Sequence, residues 1–376
     1  MKKSYLMIAA AAALFAACSS NDNFNEIDTQ EVPISFRQSI NKITRAHIGS
    51  IDNLKTEDGF VVYGYKSLDD FDTKENPDIF AGKNVYWNST LATPAWVYDG
   101  LRFWDKNATY NFYAVAPYNP TDGATYAIQS DPTTTNFGRI TITGAKSNKS
   151  TASDDYLIDR DGATGEHGSA HTGSTNPPVD IDFHHIMAKV QFKLKSTLSS
   201  GTITVTKLTM KGWDNGVATF AQNMSYTANP GSIVYDEWTF TTHDKTKEIY
   251  LVGGTSPNNA SDDEIELTCA ATSPTVLDVT DWYIMVPQQI AYTAPAQNVT
   301  EAGLTFTVTY TYNDGLTPAY EETFEDQVVV VPSTQTWGTD SYTTYTLDIK
   351  PNEIKFDVKT ICNFDEANTP ADVEVK

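Results

Sequence analysis

Few side chains in this 376-residue chain are placed to do chemistry, and their spacing argues against catalysis. Six histidines are present: His47, His167, His171, His184, His185 and His243. His167 and His171 stand four apart, a spacing that shares a metal when it falls on a helix. Here it falls in a Gly/Ser/Thr-rich run, residues 161–180, that has no helical pattern, so no zinc site is expected. His184 and His185 lie in an alternating segment and point to opposite faces of a strand, one toward a core and one outward. Asp159, Asp161 and Gly162 echo the start of a calcium loop, but their spacing is wrong and the bidentate Glu is missing. Those acids and the run SDDEIE, residues 261–266, read as solvated loop charges. No G-x-S-x-G elbow, P-loop, G-x-G-x-x-G or H-E-x-x-H occurs. No catalytic residue, metal or cofactor is expected, and a secreted hydrolase is the least favoured reading. Seven tryptophans (Trp87, Trp96, Trp104, Trp213, Trp238, Trp282 and Trp337) either stack on sugars or fill cores, and core filling is the preferred role.

Behind these residues stands a chain of net charge −22, with 40% hydrophobic and 12% aromatic residues. That apolar content sustains packed cores. The acidic balance, with no Lys/Arg cluster, excludes a nucleic-acid partner. Lys2 and Lys3 precede an apolar run, residues 5–18, too short for a comfortable span and ending in small residues. It reads as a secretory signal. Its end, FAAC, resembles a bacterial lipobox, with Phe15 where Leu is commoner; lipid would then sit on Cys18, and a plain signal peptide is the alternative. The polar, acidic stretch after Cys18 suits a tether. Cys269 and Cys362 show no spacing that signals pairing, and Cys269 suits a small core position.

Strand signals fill the rest. VPISF alternates, with Val32, Ile34 and Phe36 on one face. FVVYGY, AWVYDGLRFW and TYNFYAVAP follow, then GRITITG and DDYLIDR, separated by turn residues. Alternation resumes after residues 161–180, a long loop or a linker, with IDFHHIMAKVQFKLKS, TITVTKLTMKGW, DWYIMVPQQ, LTFTVTYTYND and EIKFDVKTI among others. Two sandwich-sized sets of strands are expected, and no long helix.

Several of these segments, in this order, resemble the fimbrillin family, the subunits of type V pili of Gram-negative anaerobes. They are ISF followed by TRA at residues 44–46, then FVVYGY, WVYDGLRFW, YNFYAVAPYNP, IDFHHIMAKVQFKL and WYIMVPQQ. The resemblance implies an all-β chain of two tandem transthyretin-like Greek-key β-sandwich domains. Residues 1–17 are then a lipoprotein signal peptide and 18–45 a tether with a removable first strand. Residues 46–178 form the N-terminal sandwich and 179–376 the C-terminal one. The implied function is structural: a surface lipoprotein held by lipid on Cys18, cut between Arg45 and Ala46 by a trypsin-like protease, then polymerised head to tail with other pilus subunits. The cut frees Val32, Ile34 and Phe36, and a strand of another subunit fills the slot. Donor candidates are the stripe Ile354, Phe356 and Val358, and the terminal Val373 and Val375. Further partners would be host or bacterial surface ligands. The alternatives are a tip or accessory adhesin of the same pilus, and an uncut surface lipoprotein that binds glycans.

Overall fold

The computed structural model describes residues 32–40, 54–55, 59–67, 77–105, 108–129, 136–149, 155–159, 178–225, 237–253, 264–279, 282–292, 303–351 and 353–362. Val32 ends one unit of the chain, and the sheets all belong to the unit from Pro33 onward. The chain is nearly all β, as its alternation predicts.

The strands run β1 (Phe36–Ile40), β2 (Phe60–Ser67), β3 (Phe80–Asn88), β4 (Ala95–Val97), β5 (Thr109–Ala116), β6 (Thr125–Gln129), β7 (Asn136–Ala145) and β8 (Asn148–Lys149). There follow β9 (Leu157–Asp159), β10 (Val179–His185), β11 (Ala188–Lys195), β12 (Thr202–Lys211), β13 (Ala218–Ser225), β14 (Glu237–Phe240), β15 (Ile249–Val252) and β16 (Ile265–Thr268). The last are β17 (Leu277–Asp278), β18 (Tyr283–Met285), β19 (Gln288–Ile290), β20 (Thr305–Asn313), β21 (Glu321–Val330), β22 (Gln335–Trp337), β23 (Ser341–Lys350) and β24 (Glu353–Cys362).

A seven-stranded sheet, β1-β10-β9-β5-β2-β3-β4, shares a core with a four-stranded sheet, β14-β13-β7-β6. Strand alternation gives β2 two apolar faces. Val61, Tyr63 and Tyr65 join Tyr113, Val115, Ile140, Ile142 and Phe220 between the two sheets. Phe60 and Val62, also buried, face the other way. The second core lies between β24-β23-β11-β18-β8, with β17 beside β11, and β15-β12-β20-β21, with β16 beside β12. At its centre Phe192 stacks on Tyr345, with rings 5.7 Å apart. The Tyr345 hydroxyl accepts from Trp337 Nε1 at 2.9 Å and donates to Gln335 Oε1 at 3.0 Å, so these buried polar atoms satisfy one another.

The division expected between residues 178 and 179 does not coincide with a boundary between sheets. Val179 opens β10, which pairs with β1 and β9 in the first sandwich. The chain crosses to the second sandwich at Ile186 and Met187, and then β13 returns to pair with β7, with β14 on its other side. In exchange β8 pairs with β18 of the second sandwich. Composition marked residues 161–180 as a long loop or a linker, and strands on either side of that stretch pair with one another. Of the adjacent histidines, His185 is the buried one, 2.9 Å from the buried Asp155, as the alternation predicts.

The crossing is tied by Asp214. Its Oδ1 accepts from the amides of Gly216 and Asp244 at 2.9 and 3.0 Å, and its Oδ2 lies 2.6 Å from His243 Nδ1. Gln288 holds the same turn, accepting from the Asp214 amide at 2.7 Å. A Cβ on Gly216 would stand 1.7 Å from the Thr242 carbonyl oxygen, so the two loops meet backbone to backbone. Burial pushes the Asp214 pKa upward, but the bonds from His243, Asp244 and Gly216 outweigh it and hold the carboxyl below its usual range. A depressed carboxylate contributes stability that is present above about pH 4 and lost as pH falls through its lower native value. Asp214→Asn should therefore cost about 1–3 kcal/mol at pH 7, because an amide cannot accept at both positions. The gap to the parent should shrink below about pH 4, read by urea melts across pH.

Candidate functional site

The seam of the first sandwich is where residues 33–40 lie. On one side β1 runs parallel to β10, with Phe36 opposite Val179 and Ile40 opposite Phe183. The Val179 amide donates to the Ser35 carbonyl at 2.8 Å. On the other side the segment meets the chain after β4. The Ile34 amide donates to the Arg102 carbonyl and the Tyr98 hydroxyl to the Ile34 carbonyl, both at 2.8 Å, and Pro33 bridges Phe103. The segment thus joins the two ends of a seven-stranded sheet. Pro33 has no amide to give, which fits a strand start at a margin.

The slot it fills is aromatic. Phe36 is 5% exposed and meets Phe80, Tyr98, Phe112 and Phe60 edge-on, at ring separations of 5.4, 5.8, 5.9 and 6.5 Å. Phe60 in turn packs on Trp96 and Phe183 at 5.1 and 5.3 Å. Gly64 makes room: a Cβ there would lie 2.8 Å from the Phe80 ring and 3.0 Å from Phe112. Edge-to-face pairs of this kind add about 0.5–1.5 kcal/mol each beyond area burial. Outside, Arg37 and Asp180 pair bidentately at 2.5 and 2.6 Å. That pairing raises the Arg37 pKa, but both groups are solvated and the bridge sets register more than stability.

Of the three residues expected on one face, Ile34 and Phe36 are buried and Val32 is half-buried. Cys18, Arg45, Ala46, Val373 and Val375 lie outside the described residues. The walls formed by Tyr98, Arg102 and Phe103 were not foreseen, although WVYDGLRFW stood out as a motif. Its signal was the aromatic density of a segment too irregular to be one strand.

The stripe Ile354, Phe356 and Val358, expected as one donor candidate, lies on β24, the outer strand beside β23. The three residues are half-buried and pack against the second core, Phe356 at 5.4 Å from Phe306. Their positions alternate with the exposed Glu353, Lys355 and Asp357. In this conformation the stripe serves its own sandwich, and donating β24 would uncover it. Phe356→Ala should lower unfolding stability by about 1–2 kcal/mol, less than a full core deletion because the ring is half exposed. Urea denaturation checks this.

The tryptophans divide. Trp96, Trp104, Trp213 and Trp337 are buried core residues, whereas Trp87, Trp238 and Trp282 are half-buried. Among the described residues no group of three or more His, Cys, Asp or Glu is placed to hold a metal. Cys269 is buried with a free thiol.

The described residues form interleaved β-sheets, with residues 33–40 closing an aromatic seam. Residues 44–363 match the model of the fimbrillin-like family, and the chain belongs to that family, whose members are structural proteins and not enzymes. Among solved structures, a fimbrial protein from Bacteroides vulgatus matches with a TM-score of 0.60 at 17% identity, over 88% of this chain and 99% of that one. Two others match more loosely. A putative cell adhesion protein from Bacteroides uniformis has a TM-score of 0.40 at 15% identity, covering 89% and 98% of the two chains. A fimbrial assembly protein from Parabacteroides distasonis has a TM-score of 0.36 at 13% identity, covering 88% and 96%. No curated protein matches the chain.

Proposed function

We infer that this chain is a fimbrial subunit, exported as a lipoprotein on Cys18, cut between Arg45 and Ala46, and joined to its neighbours by strand exchange at the seam. Family membership supports the fimbrial role. The observation that carries the exchange mechanism is that residues 33–40, immediately before the cut, complete the aromatic seam. Without them, Phe80, Tyr98 and Phe112 lose their cover, and the outer edge of β10 loses its partner. An uncovered sheet edge above an apolar slot is a template for strand addition. An incoming strand with apolar residues two apart would restore what Ile34 and Phe36 supply. Because donor and acceptor surfaces differ, the contact is head to tail and propagates as a filament.

N-terminal sequencing and mass spectrometry of the surface form test this reading. A chain that begins at Ala46, in a sample that shows filaments by electron microscopy, is the expected result. A chain that stays acylated at Cys18 would overturn the polymerising role and favour an anchored glycan binder.

A further inference from the structure

Where the two sandwiches interleave, a cleft of about 650 Å³ opens away from the seam. That size suits a small ligand. Its walls come from the end of β12, from β14 and the loop that follows, and from β19. Strand alternation puts Trp238 and Phe240 of β14 on one face, and both line the cleft half-buried. Trp238 is fixed in place: its indole N–H donates to the Ile186 carbonyl at 2.8 Å and its ring packs on Phe220 at 5.1 Å. The Phe240 and His243 rings lie 5.9 Å apart and tilted by 34°. The aromatic wall is therefore held by the fold before any ligand arrives, which spares a ligand the cost of ordering it.

The charges in the cleft are uneven. Among the described lining residues the one acid, Asp214, is turned inward and engaged with His243 and two amides. Lys211 and Lys245 also line the cleft, and among the described residues neither has a carboxylate within ion-pair distance. Two lysines in one cleft with an aromatic wall stand out in a chain of net charge −22. They call for an anion with an apolar face. The described lining residues include no arginine, the residue suited to bidentate phosphate recognition. Lysine point charges suit a carboxylate. A pyranose supplies the apolar face through its C–H groups, and its hydroxyls can meet Gln289 and Thr246 at the rim.

We propose that this cleft binds a carboxylate-bearing sugar unit, with the ring along Trp238 and Phe240 and the carboxylate at Lys211 and Lys245. The choice of a sugar over other organic acids rests on the fimbrial reading, because a chain displayed outside the cell meets glycans there. The test is calorimetric titration of the full-length, uncut chain with glucuronic acid, N-acetylneuraminic acid, glucose and acetate. At least one acidic sugar should bind about tenfold or more tightly than both glucose and acetate. The double variant Lys211→Ala/Lys245→Ala should lose that preference with an unchanged melting temperature. Independently, raising salt from about 0.05 to about 0.5 M should weaken binding to the parent. Absence of saturable binding by either acidic sugar, equal binding of glucose or acetate, salt-independent binding, or a preference kept by the double variant would overturn the proposal. Because the uncut chain is used, the titration can fail while filaments form, and filaments can fail while it succeeds.

Discussion

Phe36→Ala should lower the unfolding free energy of the uncut chain by about 3–5 kcal/mol, the range for deleting a buried aromatic ring. Three observations put it at that end. The ring is almost fully buried, it meets four other rings edge-on, and those four are themselves packed so that collapse into the gap is restricted. Phe80 and Tyr98 already lie 5.0 Å apart, and Phe60 is held by Trp96 and Phe183. The cavity would stay open, and its volume adds to the lost transfer free energy. Phe36→Leu keeps much of the volume and should cost less than about 1.5 kcal/mol. Urea denaturation of the two variants beside the parent measures both. Hydrogen exchange adds a local readout: the Val179 amide, bonded to the Ser35 carbonyl, should exchange faster in Phe36→Ala while amides of β23 keep their protection. Equal stability of Phe36→Ala and the parent would mean that residues 33–40 do not complete the sandwich, and strand exchange at the seam would fall with it.

The seam was the most legible part of the site. Val32, Ile34 and Phe36 alternate in a five-residue run, and alternation is a local property that survives without any knowledge of neighbours. What lines the slot was not legible. Phe60, Phe80, Phe112 and Phe183 come from four different strands, and only the sheet order brings them together. Interleaving was hidden for the same reason. The segment ATFAQNMS was not among the strand signals, and nothing in it says that β13 pairs with β14 on one side and with the distant β7 on the other. The stripe on β24 was read correctly as an alternating strand, yet its pairing along ten positions with β23 is a long-range fact. The cleft at the crossing was invisible because Trp238 and Lys211 belong to strands of different sheets.

Arg45→Ala should abolish assembly while leaving the fold intact, and the reason is the tether more than the strand. In the uncut chain residues 33–40 are joined covalently to the sandwich they complete. A segment joined covalently to its own slot competes at an effective concentration of about millimolar. A strand from another subunit, present at about micromolar, is then outcompeted by about a thousandfold, or roughly 4 kcal/mol, even with identical contacts. Cutting after Arg45 removes that advantage. The segment is then held only by its own contacts at the seam, and once displaced it dilutes away. Arg45→Ala keeps Ile34 and Phe36 in place, so its melting curve should overlay the parent's, which separates this result from any folding defect. The expected outcome is a chain retaining Cys18 with lipid, no Ala46 terminus and no ladder of heat-labile oligomers. Arg45→Lys should restore cutting and the ladder if the protease is trypsin-like, because such a site accepts either cation. A ladder that persists in Arg45→Ala would sink the assignment of this bond. Exchange would then have to proceed against an intact tether, or at a cut elsewhere in the segment between Ile40 and Gly59.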